Sequence, residues 1–193
     1  MTKTARILAA AATALLAGVA LTGCTINLGS TSGEHDMGMM DENNGGYTAD
    51  DIMFMQMMIP HHQQAVDMGT LAETRASNPK VKALAAQIKA EQAPEIAEMK
   101  QWLKDAGAGM TMSHSMTMSG MLTEAEMTKL ENSTGAEFDR LYLEGMIGHH
   151  EGAIEMAKMV IDSNTKNTHA LGHAINDSQT KQIAYMKELL AKL

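Results

Sequence analysis

Over residues 50–76, Phe54, Met58, His61, Ala65, Met68 and Ala72 recur at steps of three and four. An α-helix turns by about 100° per residue, so this spacing gathers them on one face and predicts an amphipathic helix. The stretch "SNPK" then reads as a turn, with Pro79 where the first turn of a following helix tolerates it. A second stripe, Val81, Leu84, Ile88, Gln92, Ile96, Met99 and Leu103, predicts a helix to about residue 105. Thr123 and Glu126 have the spacing of a capping box and predict a short helix. A third long helix is expected over 136–161, with Phe138 or Tyr142, Met146, His149, Ala153, Met156 and Val160 on one face. After "DSNTKN", Leu171, Ile175, Gln179, Ile183, Met186 and Leu190 carry a fourth to the C-terminus. No segment alternates with the period of two that a strand requires, so the chain is predicted all-α.

The stripes repeat. Phe54, Met58, Ile59, His61, His62, Ala65, Val66, Asp67 and Met68 match Tyr142, Met146, Ile147, His149, His150, Ala153, Ile154, Glu155 and Met156 at a separation of 88. The second helices match at 87, pairing Leu84, Ile88, Gln92, Ile96 and Met99 with Leu171, Ile175, Gln179, Ile183 and Met186. Two copies of a helical hairpin predict a four-helix bundle around one core.

The N-terminus has a different character. Lys3 and Arg6 precede a fifteen-residue apolar stretch over 7–21, closed by "LTGC". This resembles a bacterial lipoprotein signal over 1–23, with Cys24 the acylated first residue of the exported chain. A plain signal or an N-terminal anchor is the alternative. Residues 24–49, rich in Gly, Ser, Thr and Asn, then suit a flexible tether, and 50–193 the bundle. Together these place the protein outside the cytoplasm, anchored to the cell membrane through lipid. Cys24 is the only cysteine, which excludes intrachain disulfides, iron–sulfur clusters and thiol nucleophiles. Beyond the signal the chain carries 13 basic and 23 acidic residues, so nucleic acid is not an expected partner.

Methionine is the compositional anomaly, at 20 residues against 16 leucines. Flexible methionine specifies packing poorly, so its thioether is expected to have another use. The histidine pairs suggest which. "MIPHHQQAVDM" and "MIGHHEGAIEM" each place two imidazoles across the middle of a buried stripe, with Met58 and Met68, or Met146 and Met156, a turn or two away. Adjacent side chains diverge by about 100°, so one pair is poorly placed to chelate alone. Pairing His61 or His62 with His149 or His150 across the two-fold is easier. Pro60 removes a helix hydrogen bond and Gly148 weakens its helix, which loosens both backbones just before the imidazoles. Gln92 and Gln179, polar on apolar stripes, are candidates to hold the imidazoles from behind, or else simple interhelical hydrogen-bonding groups.

Thioether with imidazole and no thiolate suits copper, Cu(I) in particular, while imidazole alone also serves Cu(II), Zn or Ni. Two further segments carry the same donors. His35, Met37, Met39 and Met40 lie in the tether, and Met110, Met112, His114, Met116, Met118 and Met121 in a segment over 107–122 expected to be an exposed linker. They are accessory metal-binding candidates; methionine-rich filler and a membrane-contacting loop are the alternatives. The Glu-x-x-His signature of di-iron bundles is absent. Haem with His and Met axial ligands stays open, as do a metal-dependent redox activity and a structural or partner-binding module without metal. His169 and His173 stand four apart and could chelate, but they point away from the apolar stripe and read as surface residues. No Gly-x-Ser-x-Gly or spare cysteine supports nucleophilic catalysis.

The doubled His-His motifs, each followed by a helix of the type "QAPEIAEMKQWL" or "QTKQIAYMKELL", resemble the domain-of-unknown-function family 305 (DUF305) over about 50–193. The resemblance implies a ferritin-like four-helix bundle, often secreted or lipid-anchored in bacteria, and for some relatives a role in periplasmic copper binding or tolerance. Its matching positions are His61, His62, Met58 and Met68 with His149, His150, Met146 and Met156.

Overall fold

A computed structural model describes residues 44–111 and 118–193, which form five helices. These are α1 (Ala49–Arg75), α2 (Pro79–Asp105), α3 (Glu124–Asn132), α4 (Gly135–Ala157) and α5 (Lys166–Leu190). α1 packs along α2, α4 along α5, and the two hairpins meet through α1 and α4, while the short α3 rests on α4. The two-hairpin, all-α architecture read from the stripes is the one observed. α1 runs through Pro60 as one helix, as its unbroken periodicity implied.

Local chemistry sets the helix ends. Thr48 caps α1 and Thr123 caps α3, each in a reciprocal capping box, with Asp51 and Glu126 as the returning carboxylates. Asn78 caps α2, whose first residue is Pro79. α4 stops at Ala157, short of the expected residue 161, because the chain tightens there. Met159 N–H bonds to Met156 O and Val160 N–H to Ala157 O, three residues back rather than four. The apolar spacing nonetheless continues to Val160, which is fully buried. Two residues of the segment read as tether are also engaged: Tyr47 is buried, its hydroxyl accepting from Asn167 Nδ2, and Thr48 is the α1 cap.

Two carboxylates, related by the separation of 88, tie each hairpin to the turn of the other. Asp51, on α1, is fully buried and accepts from Ser163 Oγ at 2.8 Å, Thr165 Oγ1 at 2.6 Å and Thr168 Oγ1 at 2.6 Å, all around the α4–α5 turn. Asp139, on α4, accepts from Ser77 N, Ser77 Oγ and Asn78 N in the α1–α2 turn. Burial would push the Asp51 carboxyl upward, but donors from Thr165, Thr168 and Thr48 outweigh it and hold it below its ordinary value.

The core falls into two apolar clusters on either side of the histidines. One contains Phe54, Met58, Met99, Leu103, Met156 and Ile175; the other contains Met68, Leu84, Ile88, Phe138, Tyr142, Met146 and Met186. Met58 of α1 thus shares a cluster with Met156 of α4, and Met68 with Met146, which brackets the histidines with thioethers at both ends. Replacing Asp51 with alanine takes the acceptor from the buried hydroxyl of Thr168 and from the half-buried ones of Ser163 and Thr165 around the α4–α5 turn. Urea unfolding of Asp51→Ala is expected to show a loss of about 3 kcal/mol, whereas Glu155→Ala, on the exposed surface, is expected to leave stability within about 0.5 kcal/mol.

Candidate metal centre

His61, His62, His149 and His150 are all fully buried at the waist between the two clusters. The ring centres of His61 and His149 stand 3.7 Å apart, so imidazoles 88 positions apart in sequence meet across the two-fold. His62 and His150 flank this pair, at 6.4 Å from His61 and 6.3 Å from His149.

Each ring is held through Nε2, and each acceptor is an oxygen. His61 donates to Ser119 O at 3.2 Å, His149 to His61 O at 2.9 Å, His62 to Glu95 Oε2 at 2.8 Å and His150 to Gln182 Oε1 at 2.7 Å. Gln182 Nε2 in turn donates to Glu91 Oε2 at 2.7 Å. An oxygen acceptor requires the hydrogen on Nε2, which in a neutral imidazole leaves the lone pair on Nδ1. All four Nδ1 atoms are buried without a hydrogen-bond partner.

Burial disfavours the charged form of His61, His149 and His150. Burial pushes His61 down to about 3, with nearby His62 adding to the effect and the bond to Ser119 opposing it. Burial and the neighbouring His61, His150 and His62 hold His149 well below its ordinary value. His150 is pushed down to about 4 by burial, against the bond to Gln182. At neutral pH these imidazoles bear free lone pairs, and a metal has no proton to displace from them.

The donor set therefore fits a soft or borderline metal: neutral imidazole nitrogens with thioethers on both sides and no thiolate. Met58, Met68 and Met146 are fully buried and Met156 is 4% exposed. Among the described residues no three His, Cys, Asp or Glu side chains already converge on one point. The pair His61 and His149 is the closest contact among the four imidazoles.

The groups that hold the rings differ from those expected. Gln92 and Gln179 are buried, but neither bonds an imidazole; both oxygens and the Gln92 nitrogen are without partners. Glu95 and Gln182, one turn further on, do so instead. They too match at a separation of 87, a signal in the sequence hidden by their position beside the apolar stripes rather than on them. Glu91, Glu95 and Gln182 border surface depressions between α2 and α5, so the far ends of both hydrogen-bond chains reach solvent.

The 107–122 segment was expected to be exposed throughout. Met110 is, at 45%, but Met118 and Met121 are half-buried and the chain beside them closes over the site. Ser119 supplies the His61 acceptor, and Gln64 bonds both the N–H and the C=O of Leu122. The close approach depends on glycine. A Cβ on Gly152 would lie 2.0 Å from Ser119 O, and one on Gly120, at φ +80°, 2.3 Å from Gly148 O. The remaining accessory candidates, His35, Met37, Met39, Met40, Met112, His114 and Met116, lie outside the described residues, as does Cys24.

The sequence profile of the family described as "Domain of unknown function (DUF305)" matches residues 51–190. The chain belongs to the DUF305 family. A DUF305 protein of Streptomyces coelicolor, described as secreted, is 33% identical, with a TM-score of 0.71 over 75% of this chain and 95% of that one. A DUF305 fragment from Deinococcus radiodurans is 28% identical, with a TM-score of 0.69 over 76% and 98%. CopM in its Cu(I)-bound form is 31% identical, with a TM-score of 0.63 over 76% and 97%; its Cu(II)-bound, silver-bound and apo forms match as well. No curated protein matches the chain. Among the described residues no helix is long and apolar enough to cross a membrane.

A pH dependence follows for the metal-free protein. The unfolded chain protonates its histidines near pH 6.5, whereas folded His61 and His150 do so only near 3 and 4. Between those values the unfolded state binds more protons, so stability is full above about pH 6.5 and falls as pH drops through the window. Each such imidazole is expected to contribute a loss of about 1.4 kcal/mol per pH unit. Urea unfolding from pH 7 to pH 4.5 should show this slope in the wild type and a shallower one in His61→Gln/His150→Gln. Asp51 adds its own loss only below its ordinary value of 3.8, beneath that window.

Proposed function

We propose that this protein is a lipid-anchored, extracytoplasmic copper-binding protein that sequesters copper or passes it on, with Cu(I) the preferred state. The observation that carries the reading is the set of four buried, unpartnered Nδ1 atoms at the waist of the bundle. Leaving a buried polar atom unsatisfied costs about 1–3 kcal/mol, and a metal that accepts these lone pairs removes that cost. His61 and His149 would share the ion through their bare Nδ1 atoms, with His62, His150, Met58, Met68, Met146 and Met156 completing the ligand set. Glu95 and Gln182 would orient their imidazoles.

The relatives support the choice of metal. CopM is solved with Cu(I), Cu(II) and silver, and Ag(I) is a soft monovalent ion with the ligand preferences of Cu(I). The description of the Streptomyces coelicolor protein as secreted agrees with an export signal ending at Cys24, whose acylation would anchor this chain. Segments 34–40 and 107–122, with His35, Met37, Met39, Met40 and Met110 through Met121, would capture incoming copper and exchange it with the waist. Burial of the ion in an apolar core suits holding and handing over more than turnover.

The test is Cu(I) loading under reducing conditions, followed by metal analysis. A variant with alanine at His61, His62, His149 and His150 is expected to lose the tightly held Cu(I), and with it most of the rise in melting temperature that Cu(I) gives the wild type. Because four alanines alter the core, His61→Gln/His149→Gln serves beside it and should lose at least about tenfold in affinity. Equal copper content and equal thermal shift in the wild type and both variants would reject the reading.

A further inference from the structure

His169 and His173 lie on the exposed face of α5, one helical turn apart and away from the waist. Their ring centres are 4.7 Å apart in an edge-to-face arrangement. An imidazole bound at about 2.0 Å puts its ring centre about 3.2 Å from the metal, so two rings set at right angles about one ion stand about 4.5 Å apart. The two side chains therefore already have the separation of a chelating pair, and rotation of the rings is all that binding requires.

The backbone beneath them is fixed. Thr168, buried, donates to Asp51, and Leu171 packs in the core. Gly172 sits so close to the turn after α4 that a Cβ there would come within 2.9 Å of the Val160 side chain. The first two turns of α5 are thus clamped on the inner face while the outer face presents two imidazoles, and little conformational freedom is lost on binding. No third His, Cys, Asp or Glu among the described residues joins them, so water would fill the remaining coordination positions. Lys166 and Asp177 stand three residues before His169 and four after His173, close enough to bias the charge of the bound species without ligating it.

We infer that His169 and His173 form a second, solvent-exposed metal site, for a divalent cation of borderline softness, with Cu(II) the strongest binder. Two imidazoles without thioether or thiolate favour divalent over monovalent copper, and Cu(II) leads the divalent series for nitrogen ligands. Water in the open positions makes the bound ion exchangeable. The site stands apart from the buried donors and does not rest on the copper reading proposed for them.

The test titrates the full chain with Cu(II) in the absence of reductant. Wild type is compared with His169→Ala/His173→Ala and with His173→Ala/Ala174→His, which keeps two histidines but points them to different sides of α5. Far-UV circular dichroism should be unchanged in both, because positions 169, 173 and 174 are exposed. The first variant is expected to lose one equivalent of bound Cu(II), and the second to bind that equivalent at least about tenfold more weakly. The same isotherm in all three proteins would overturn the site, and wild-type affinity in the shifted pair would overturn chelation. Cu(I) loading, measured separately, reads the methionine-containing donor sets and is expected to be the same in all three.

Discussion

The structure depends on one recurring interaction: a buried imidazole held through Nε2–H by an oxygen, which leaves Nδ1 bare in the core. It occurs four times, and each instance uses a different acceptor: a linker carbonyl, a helix carbonyl, a carboxylate and an amide. The common outcome is a fixed ring and a buried, unsatisfied lone pair. A fold that needed histidine only for packing would have little reason to leave the same atom unpaired at four related positions, since each costs stability. Burial also suppresses the protonated form, which keeps mutually close imidazoles from repelling one another.

Around this waist the two-fold repeat supplies the scaffold and then departs from its own symmetry. Asp51 and Asp139 perform the same reciprocal tie, each to the turn of the opposite hairpin. The hydrogen-bonding positions are less alike, with Glu95 behind His62 and Gln182, backed by Glu91, behind His150. A carboxylate behind one imidazole and an amide behind the other make the two halves unequal. The linker deepens the inequality. Ser119 and Gly120 cross α4 at Gly148 and Gly152, close to the site from one side, and give His61 an acceptor for which His149 has no counterpart.

Much of this was legible in the sequence, for physical reasons that differ from part to part. The helices were visible because stripes of period 3.6 are long and unbroken, and the bundle because the stripes repeat at 88 and 87. That imidazoles of the two halves would meet across the two-fold followed from that symmetry, whereas the choice of His61 with His149 is visible only in the structure. Glu95 and Gln182 were missed because the long imidazole side chain reaches sideways past the core stripe to the helix rim, where polar residues are unremarkable. Gln92 and Gln179 drew attention as polar residues in apolar company, yet neither meets a ring. The linker was read as exposed because small residues and methionine lack period. That composition also suits an irregular chain packed closely on glycine, as Ser119 and Gly120 are. The end of α4 slipped because Val160 keeps the apolar spacing through a turn that is no longer α-helical.

The central claim is that the bare Nδ1 atoms of His61 and His149 receive the metal while their Nε2 hydrogens stay in place. Nitrogen-15 resonances of histidine-labelled protein, followed as Ag(I) or Cu(I) is added, test it directly. The account predicts that both Nδ1 resonances move together at the first equivalent, with both Nε2–H signals retained. A bound equivalent that leaves those two Nδ1 resonances unmoved, or that removes the Nε2 hydrogens, would contradict it.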